Sequence, residues 1–182
     1  LPVWSLQGNE TWCMIGYHAV SVIVDAYLKG VKGFDANRAY EAIKTTAMNP
    51  NYDNVATYAR LGWVPFDKEN ESVSKTLEYA YDDYCIAQMA GAVVQDEDYE
   101  YFLKRSMNYR NLFDPEHKLM RGKDSQGNWR TPFDPHRYVE GGDITEGTSW
   151  QSDTVDLVGT PGGQHDDLVA AAHLAIHHPN QR

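Results

Sequence analysis

Val73, Leu77, Ala80, Tyr84 and Ala87 recur at i, i+4, i+7, i+11 and i+14. Only the 3.6-residue period of an α-helix places that spacing on one stripe. Ser72 stands at the expected N-cap and Gly91 at the expected stop. An apolar stripe of this length needs other helices to bury it, and the chain supplies them. A helix is expected over Asn9–Lys29, with Trp12, Ile15, Ala19, Val22, Ile23 and Ala26 on one side and Gly30 ending it. Another is expected over Ala36–Met48, opened by Asp35 and closed by Asn49-Pro50, and a helical turn near Val55–Arg60. A further helix is expected over Glu97–Leu112, where Asp96, Glu97 and Asp98 meet the positive end of its dipole. Strands never alternate with helices, which argues against a parallel sheet. After Phe113 the texture loosens. Leu119–Arg121 and Trp129–Thr131 read as short strands of a β-hairpin around the turn at 123–128, and a long loop follows Pro132. The expected class is all-α.

Composition narrows the function. The 182 residues carry a net charge of −10, and the sixteen Lys and Arg are scattered. A nucleic-acid groove needs clustered cations, so that partner is not expected. No apolar run reaches the length of a membrane span. Cys13 and Cys85 lack the spacing of a zinc site and read as buried small residues. Twelve tyrosines and five tryptophans suit sugar-stacking surfaces, and equally a core whose polar tips hydrogen-bond at its rim.

Three clusters could carry chemistry. Gly8-Asn-Glu-Thr11 opens the first expected helix, where Glu10 near free N–H groups would stay ionised and His18 would lie two turns inside. A capped helix with a buried histidine explains the same residues equally well. The second cluster, residues 67–83, gathers Asp67, Glu69 and Glu71 before a helix start and sets Asp82 and Asp83 beside its apolar face. Periodicity does not decide between a solvated charge run and a site. The third is Asp143-Ile-Thr-Glu-Gly-Thr-Ser-Trp-Gln151. General acid catalysis needs a carboxyl kept protonated by a dry setting. Trp150 could dry Glu146 and Gly147 would allow close approach, yet spacing alone leaves Glu146 open between a proton donor and a surface charge. His173 and His177, four apart, lack the intervening glutamate of a zinc-protease helix.

In order, these clusters resemble the catalytic domain of glycoside hydrolase family 92, the calcium-dependent exo-acting α-mannosidases. The resemblance is carried by Leu1-Pro-Val-Trp4, Gly8-Asn-Glu-Thr11, Met14-Ile-Gly-Tyr-His18 and the long specific run Lys68–Asp83. It continues through Arg121-Gly122, Trp129, Pro132-Phe-Asp-Pro135, Thr145-Glu-Gly147 and Trp150-Gln151, spanning residues 1–151. It implies a piece of an (α/α)6 barrel with about half of the helices. It also implies Glu146 as the general acid, matched to the glutamate of a Thr-Glu-Gly-Asn-Ala-Trp-Gln motif. Glu10, Trp12, His18, Trp150 and Gln151 are then expected to bind substrate.

The implied reaction is inverting hydrolysis of terminal α-linked mannose from glycans, with α-1,2 linkages and bacterial N-glycan degradation expected. Calcium is the implied cofactor, with its main ligands outside this chain, and no metal ligand is assigned here. The general base, the N-terminal β-sandwich and the C-terminal half of the barrel are also expected elsewhere. A periplasmic or extracellular setting follows from the same resemblance. Thr148-Ser149 replaces the motif's Asn-Ala, and the resemblance ends at Gln151. Val155–Thr160 can be encoded by bases that, read one position later, give Trp-Thr-Trp-Leu-Val-Pro. Residues 152–182 are therefore expected to be a divergent, partly frame-shifted tail, with its histidine cluster accidental. On this reading the piece is inactive alone and leaves helix faces such as Val73–Leu77–Ala80 poorly covered. Two other readings remain: a non-catalytic mannose-binding or structural remnant that dimerises, and another helical-barrel glycosidase.

Overall fold

The computed structural model describes residues 1, 5–6, 8–10, 14–145 and 147–149. Among these, five α-helices follow one another: α1 (Ala19–Leu28), α2 (Ala36–Ala47), α3 (Val55–Leu61), α4 (Ser72–Ala92) and α5 (Asp96–Ser106). A 3₁₀ segment, Met107–Leu112, continues from α5. Two small antiparallel ladders flank the helices. Strands β1 (Ser5–Leu6) and β2 (Asn9–Glu10) pair Ser5 with Glu10. Strands β3 (Phe113–Asp114) and β4 (Leu119–Met120) pair Phe113 with Met120. No described helix is long and apolar enough to cross a membrane. The mostly helical content and the presence of a small antiparallel hairpin agree with the expected class.

Helix α4 is the axis of the fold. Tyr79, Ile86, Met89 and Ala90 on α4 join Val20 and Val24 of α1, Ile43 of α2, Tyr58 of α3 and Phe102 of α5 in one core. A second core gathers Val73 and Ala80 with Tyr109, Leu112, Met120 and Ile144. The face expected to lie poorly covered is thus covered at Val73 and Ala80, both buried. The 3₁₀ segment, β4 and the loop at Ile144 close over it, local cover that helical periodicity does not reveal.

The first expected helix is corrected at its start. Residues 9–10 lie in β2, and α1 begins only at Ala19, with His18 as its N-cap. Gly16 explains the break. Its φ is +78°, a conformation that favours glycine, and a Cβ there would stand 2.7 Å from His18 Nε2. Asp35 does cap α2, accepting from the Arg38 amide at 3.0 Å. The α4 boundaries move by one position each way: Glu71 is the N-cap, and Gly91 lies inside the last turn. The helix expected to run to Leu112 tightens after Ser106, where Asn111 Nδ2 donates to the Gly62 carbonyl at 3.0 Å. Leu119–Met120 pairs with β3 rather than with Trp129–Thr131, and the turn at 123–128 is closed by a single Lys123–Trp129 bridge.

Candidate active site

The loop that leads to Glu146 is seated on the N-terminus of α4. The first turn of a helix has amide groups without internal partners. Here the Asp143 carbonyl accepts from the Val73 and Ser74 amides at 3.0 and 3.2 Å, and the Gly142 carbonyl accepts from the Glu71 amide at 2.6 Å. The Asp143 side chain accepts from Ser72 Oγ at 3.1 Å and from Arg130 Nη2 at 2.6 Å, while Arg130 Nε donates to its other oxygen. Gly122 leaves the space for this pair, since a Cβ there would overlap the Asp143 carboxylate. Arg130 also lies with its guanidinium carbon 3.9 Å from the Phe66 ring centroid. Finally the Thr145 amide donates to Ser74 Oγ at 2.9 Å. The residue immediately before Glu146 is therefore pinned to α4 by its own backbone.

A second segment meets α4 two turns further along. Ser74, Glu78 and Asp82 are spaced i, i+4, i+8, so they share one stripe of the helix and span about 12 Å. His18 sits over the last two, with Nε2 3.1 Å from Glu78 Oε2 and Nδ1 3.3 Å from Asp82 Oδ1. Burial pulls the imidazole pKa down, but hydrogen bonds to Asp82 and then Glu78 outweigh it and lift His18 to about 10. It is therefore an imidazolium at neutral pH. Burial raises Asp82, and hydrogen bonds from His18 and the Tyr17 amide (3.0 Å) draw it back.

That stripe is also the open one. Between Ser72 and Ala90, only Ser74, Leu77, Glu78, Tyr81 and Gln88 are not buried. At about 100° per residue they fall within an arc of about 100°. Two segments distant in sequence, 14–18 and 142–145, thus converge on the accessible strip that α4 shows between Ser72 and Ala90. The loop seated on the α4 N-terminus borders a cavity of 330 Å³ whose walls include Arg130, Phe133, Arg137, Asp143, Gly147 and Ser149. Small-molecule sites occupy roughly 300–1,000 Å³, and Gly147 and Ser149 are chain neighbours of Glu146 and Trp150.

Of the residues expected to act, His18 is found on this stripe with both ring nitrogens engaged by carboxylates. It is the N-cap of α1, not a residue two turns inside a helix. Glu10 is in β2 and does not stand at a helix N-terminus, so the dipole argument for its ionisation does not apply. Trp12, Glu146, Trp150, Gln151, Cys13 and the tail at 152–182 with His173 and His177 lie outside the described residues. Cys85 is buried, as expected, and burial pushes its thiol up to about 12. Residue spacing missed Arg130, Asp143, Ser74 and Glu78. The one available signal was the i, i+4, i+8 polar series on a helix whose other sides are apolar.

One group among the described residues brings metal-ligand types together. Asp114, Glu116 and His117 place a ligand atom each within 4.8 Å of one another. Calcium prefers six to eight oxygen ligands, and this trio offers a nitrogen. Asp114 Oδ2 is already held at 2.8 Å by both Arg121 Nη1 and His117 Nδ1. Although burial opposes it, Arg121 and then His117 hold Asp114 down at about 2. A carboxylate so occupied by a guanidinium is a structural anchor, and the trio does not fit a calcium ion.

Residues 1–161 match the glycosyl hydrolase family 92 catalytic domain. The chain belongs to that family. Among solved family 92 structures, an α-mannosidase from Bacteroides thetaiotaomicron is 66% identical over 83% of this chain and 20% of its own, with a TM-score of 0.80. The same enzyme in complex with mannoimidazole gives 0.81. An inverting family 92 mannosidase from the same species is 39% identical over 82% of this chain and 21% of its own, with a TM-score of 0.77. An uncharacterized secreted glycosidase from Arthroderma benhamiae is 28% identical in an alignment 142 residues long that covers 69% of this chain and 18% of that protein. This chain thus spans about a fifth of the length of these family 92 relatives.

Proposed function

We propose that this chain is part of an inverting exo-α-mannosidase that removes terminal α-linked mannose from glycans, with α-1,2 linkages expected and Glu146 as the general acid. The observation that carries the reading is the seating of Asp143–Thr145 on the α4 N-terminus, within a family 92 match. A proton donor has to be held to a fraction of an ångström, and the Thr145 amide bonded to Ser74 Oγ fixes the backbone one residue ahead of Glu146.

In this reaction Glu146 gives its proton to the glycosidic oxygen as the bond from C1 to that oxygen breaks. A water on the opposite face of the sugar forms the new bond to C1 and yields its proton to a second carboxylate. Inverting geometry sets the two carboxyls roughly 6.5–9.5 Å apart. We place that base, the calcium ligands, a β-sandwich and the remaining barrel helices in the longer protein, which suits a chain covering a fifth of its relatives. Trp12, Trp150, Gln151 and Glu10 are proposed to contact the sugar. The cavity beside Gly147 and Ser149 is proposed to receive the leaving group. A periplasmic or extracellular setting is proposed, in keeping with the secreted relative.

The test is Glu146→Gln in the longer protein that carries the base and the calcium ligands. With a mannobiose substrate, kcat should fall by about 10²–10⁴, the usual worth of a general acid. With an aryl mannoside whose leaving group needs no proton, the fall should be much smaller. An unchanged kcat on mannobiose would remove Glu146 from the mechanism.

A further inference from the structure

Two features of the open stripe on α4 are not used by the reading above: Glu78 and Tyr81. Glu78 is held by one oxygen only. Its Oε2 faces His18, its side chain is 39% exposed, and Oε1 makes no hydrogen bond among the described residues. A glutamate tethered through one oxygen, with the other turned to an open surface, has lost much of its rotamer freedom yet keeps acceptor capacity. Such a carboxylate is suited to accept from hydroxyl groups. Tyr81 is one turn further along the same strip and 38% exposed. An aromatic face beside an acceptor carboxylate is the pairing that a sugar ring asks for, with C–H bonds on one side and hydroxyls at the edge.

We infer that Glu78 is a sugar-hydroxyl-binding residue, that His18 is its positioning residue, and that Tyr81 supplies the apolar face beside it. The inference rests on the mannosidase reading and extends its site along α4, from Ser74 towards Tyr81. Its geometry is independent of Glu146. His18 Nε2, 3.1 Å from Glu78 Oε2, fixes which oxygen of the carboxylate remains for a ligand. Gly16, which a Cβ would drive into both the His18 ring and Glu78 Cβ at 3.3 Å, sets how closely that ring can approach. The neighbouring Asp82 is fully buried and turned to the His18 ring and the Tyr17 amide. That leaves Glu78 as the member of the trio with an oxygen to offer.

The experiment compares mannoimidazole binding by calorimetry with steady-state kinetics on mannobiose, in the longer protein that carries the base and the calcium ligands. Four variants are needed: Glu78→Gln, His18→Gln, the double variant and Glu146→Gln. Glu78→Gln should weaken mannoimidazole at least about tenfold, the cost of losing a hydrogen bond to a charged group, and raise KM more than it lowers kcat. His18→Gln should weaken binding less, and the double variant should bind no worse than Glu78→Gln alone, because His18 acts through Glu78. Glu146→Gln should lose turnover and keep its affinity. If Glu78→Gln binds and turns over as wild type while Glu146→Gln is dead, this inference fails and the mannosidase reading stands. If Glu146→Gln retains turnover, that reading fails by itself. Should Glu78→Gln lose its cooperative melt, Tyr81→Ala carries the test. Weakening of about threefold or more is then expected, and unchanged affinity overturns the inference.

Discussion

Asp82 and Asp83 are neighbours in sequence, both fully buried on α4, and they serve opposite sides of the molecule. Asp83 faces inward. Arg105 Nε donates to it at 2.6 Å and Arg105 Nη2 to its other oxygen, while Tyr58 Oη donates to it at 2.9 Å. The guanidinium is also stacked near Phe102, Tyr101 and Tyr58. Burial drives the Asp83 carboxyl up to about 6 even though Arg105 pulls it back. Asp82, about 100° around the helix, meets a histidine instead, at the margin of the open strip. One partner carries a permanent charge in an aromatic enclosure; the other carries a charge that depends on its surroundings and borders solvent. A single residue step thus divides the part of α4 that holds the fold from the part that borders solvent.

The largest effect should come from breaking the inward pair. Asp83→Ala strands Arg105, whose side chain is only 4% exposed. Removing one partner of a buried ion pair costs about 3–5 kcal/mol, so the urea midpoint should drop steeply. A loss under about 1 kcal/mol would mean that the inward pair behaves like a surface one, and the contrast would vanish. A smaller effect should mark the outward pair and show a pH signature. Because folding lifts His18 from its ordinary 6.5 to about 10, the folded state binds the proton more tightly. The stabilisation is complete below about 6.5 and is lost as pH rises through about 10. His18→Gln should flatten the fall in stability over that window, whereas Asp83→Ala should leave it in place. Smallest in stability should be Asp143→Asn. Arg130 is 39% exposed, so solvent screens much of this pair and about 1 kcal/mol is expected. Its effect on kcat should exceed its effect on the melt, since the loop it holds leads to Glu146.

Helical period alone placed α4 and α2 within a residue or two, because their stripes end at turn residues. The same rule overran α1. Trp12 and Ile15 continue the apolar spacing backwards, and only the positive φ of Gly16 shows that the chain turns there. It overran α5 too, since nothing local in Met107–Leu112 announces a bond from Asn111 to Gly62, nearly fifty residues away in sequence. The residues of the site were legible in proportion to how far their chemistry is carried by a motif. Thr145-Glu-Gly147 stood out by resemblance. Arg130, Asp143 and Ser74 did not, because their meaning lies in contacts made across 13 to 71 positions. Asp82 and Asp83 were visible as charges beside an apolar face, but which way each turned was a question of partners, and sequence spacing does not contain partners.

The open strip on α4 imposes a rule of length. Inserting or deleting one residue between Ser74 and Glu78 would rotate everything downstream by about 100°. An insertion would carry Glu78 off the strip, and a deletion would put the enclosed Tyr79 in its place. Hydrophobic content would hardly change, so a sequence comparison scored on composition would pass such a variant as neutral. Relatives that keep this arrangement should therefore vary freely in the turns before α4 and tolerate no length change between Ser74 and Asp82.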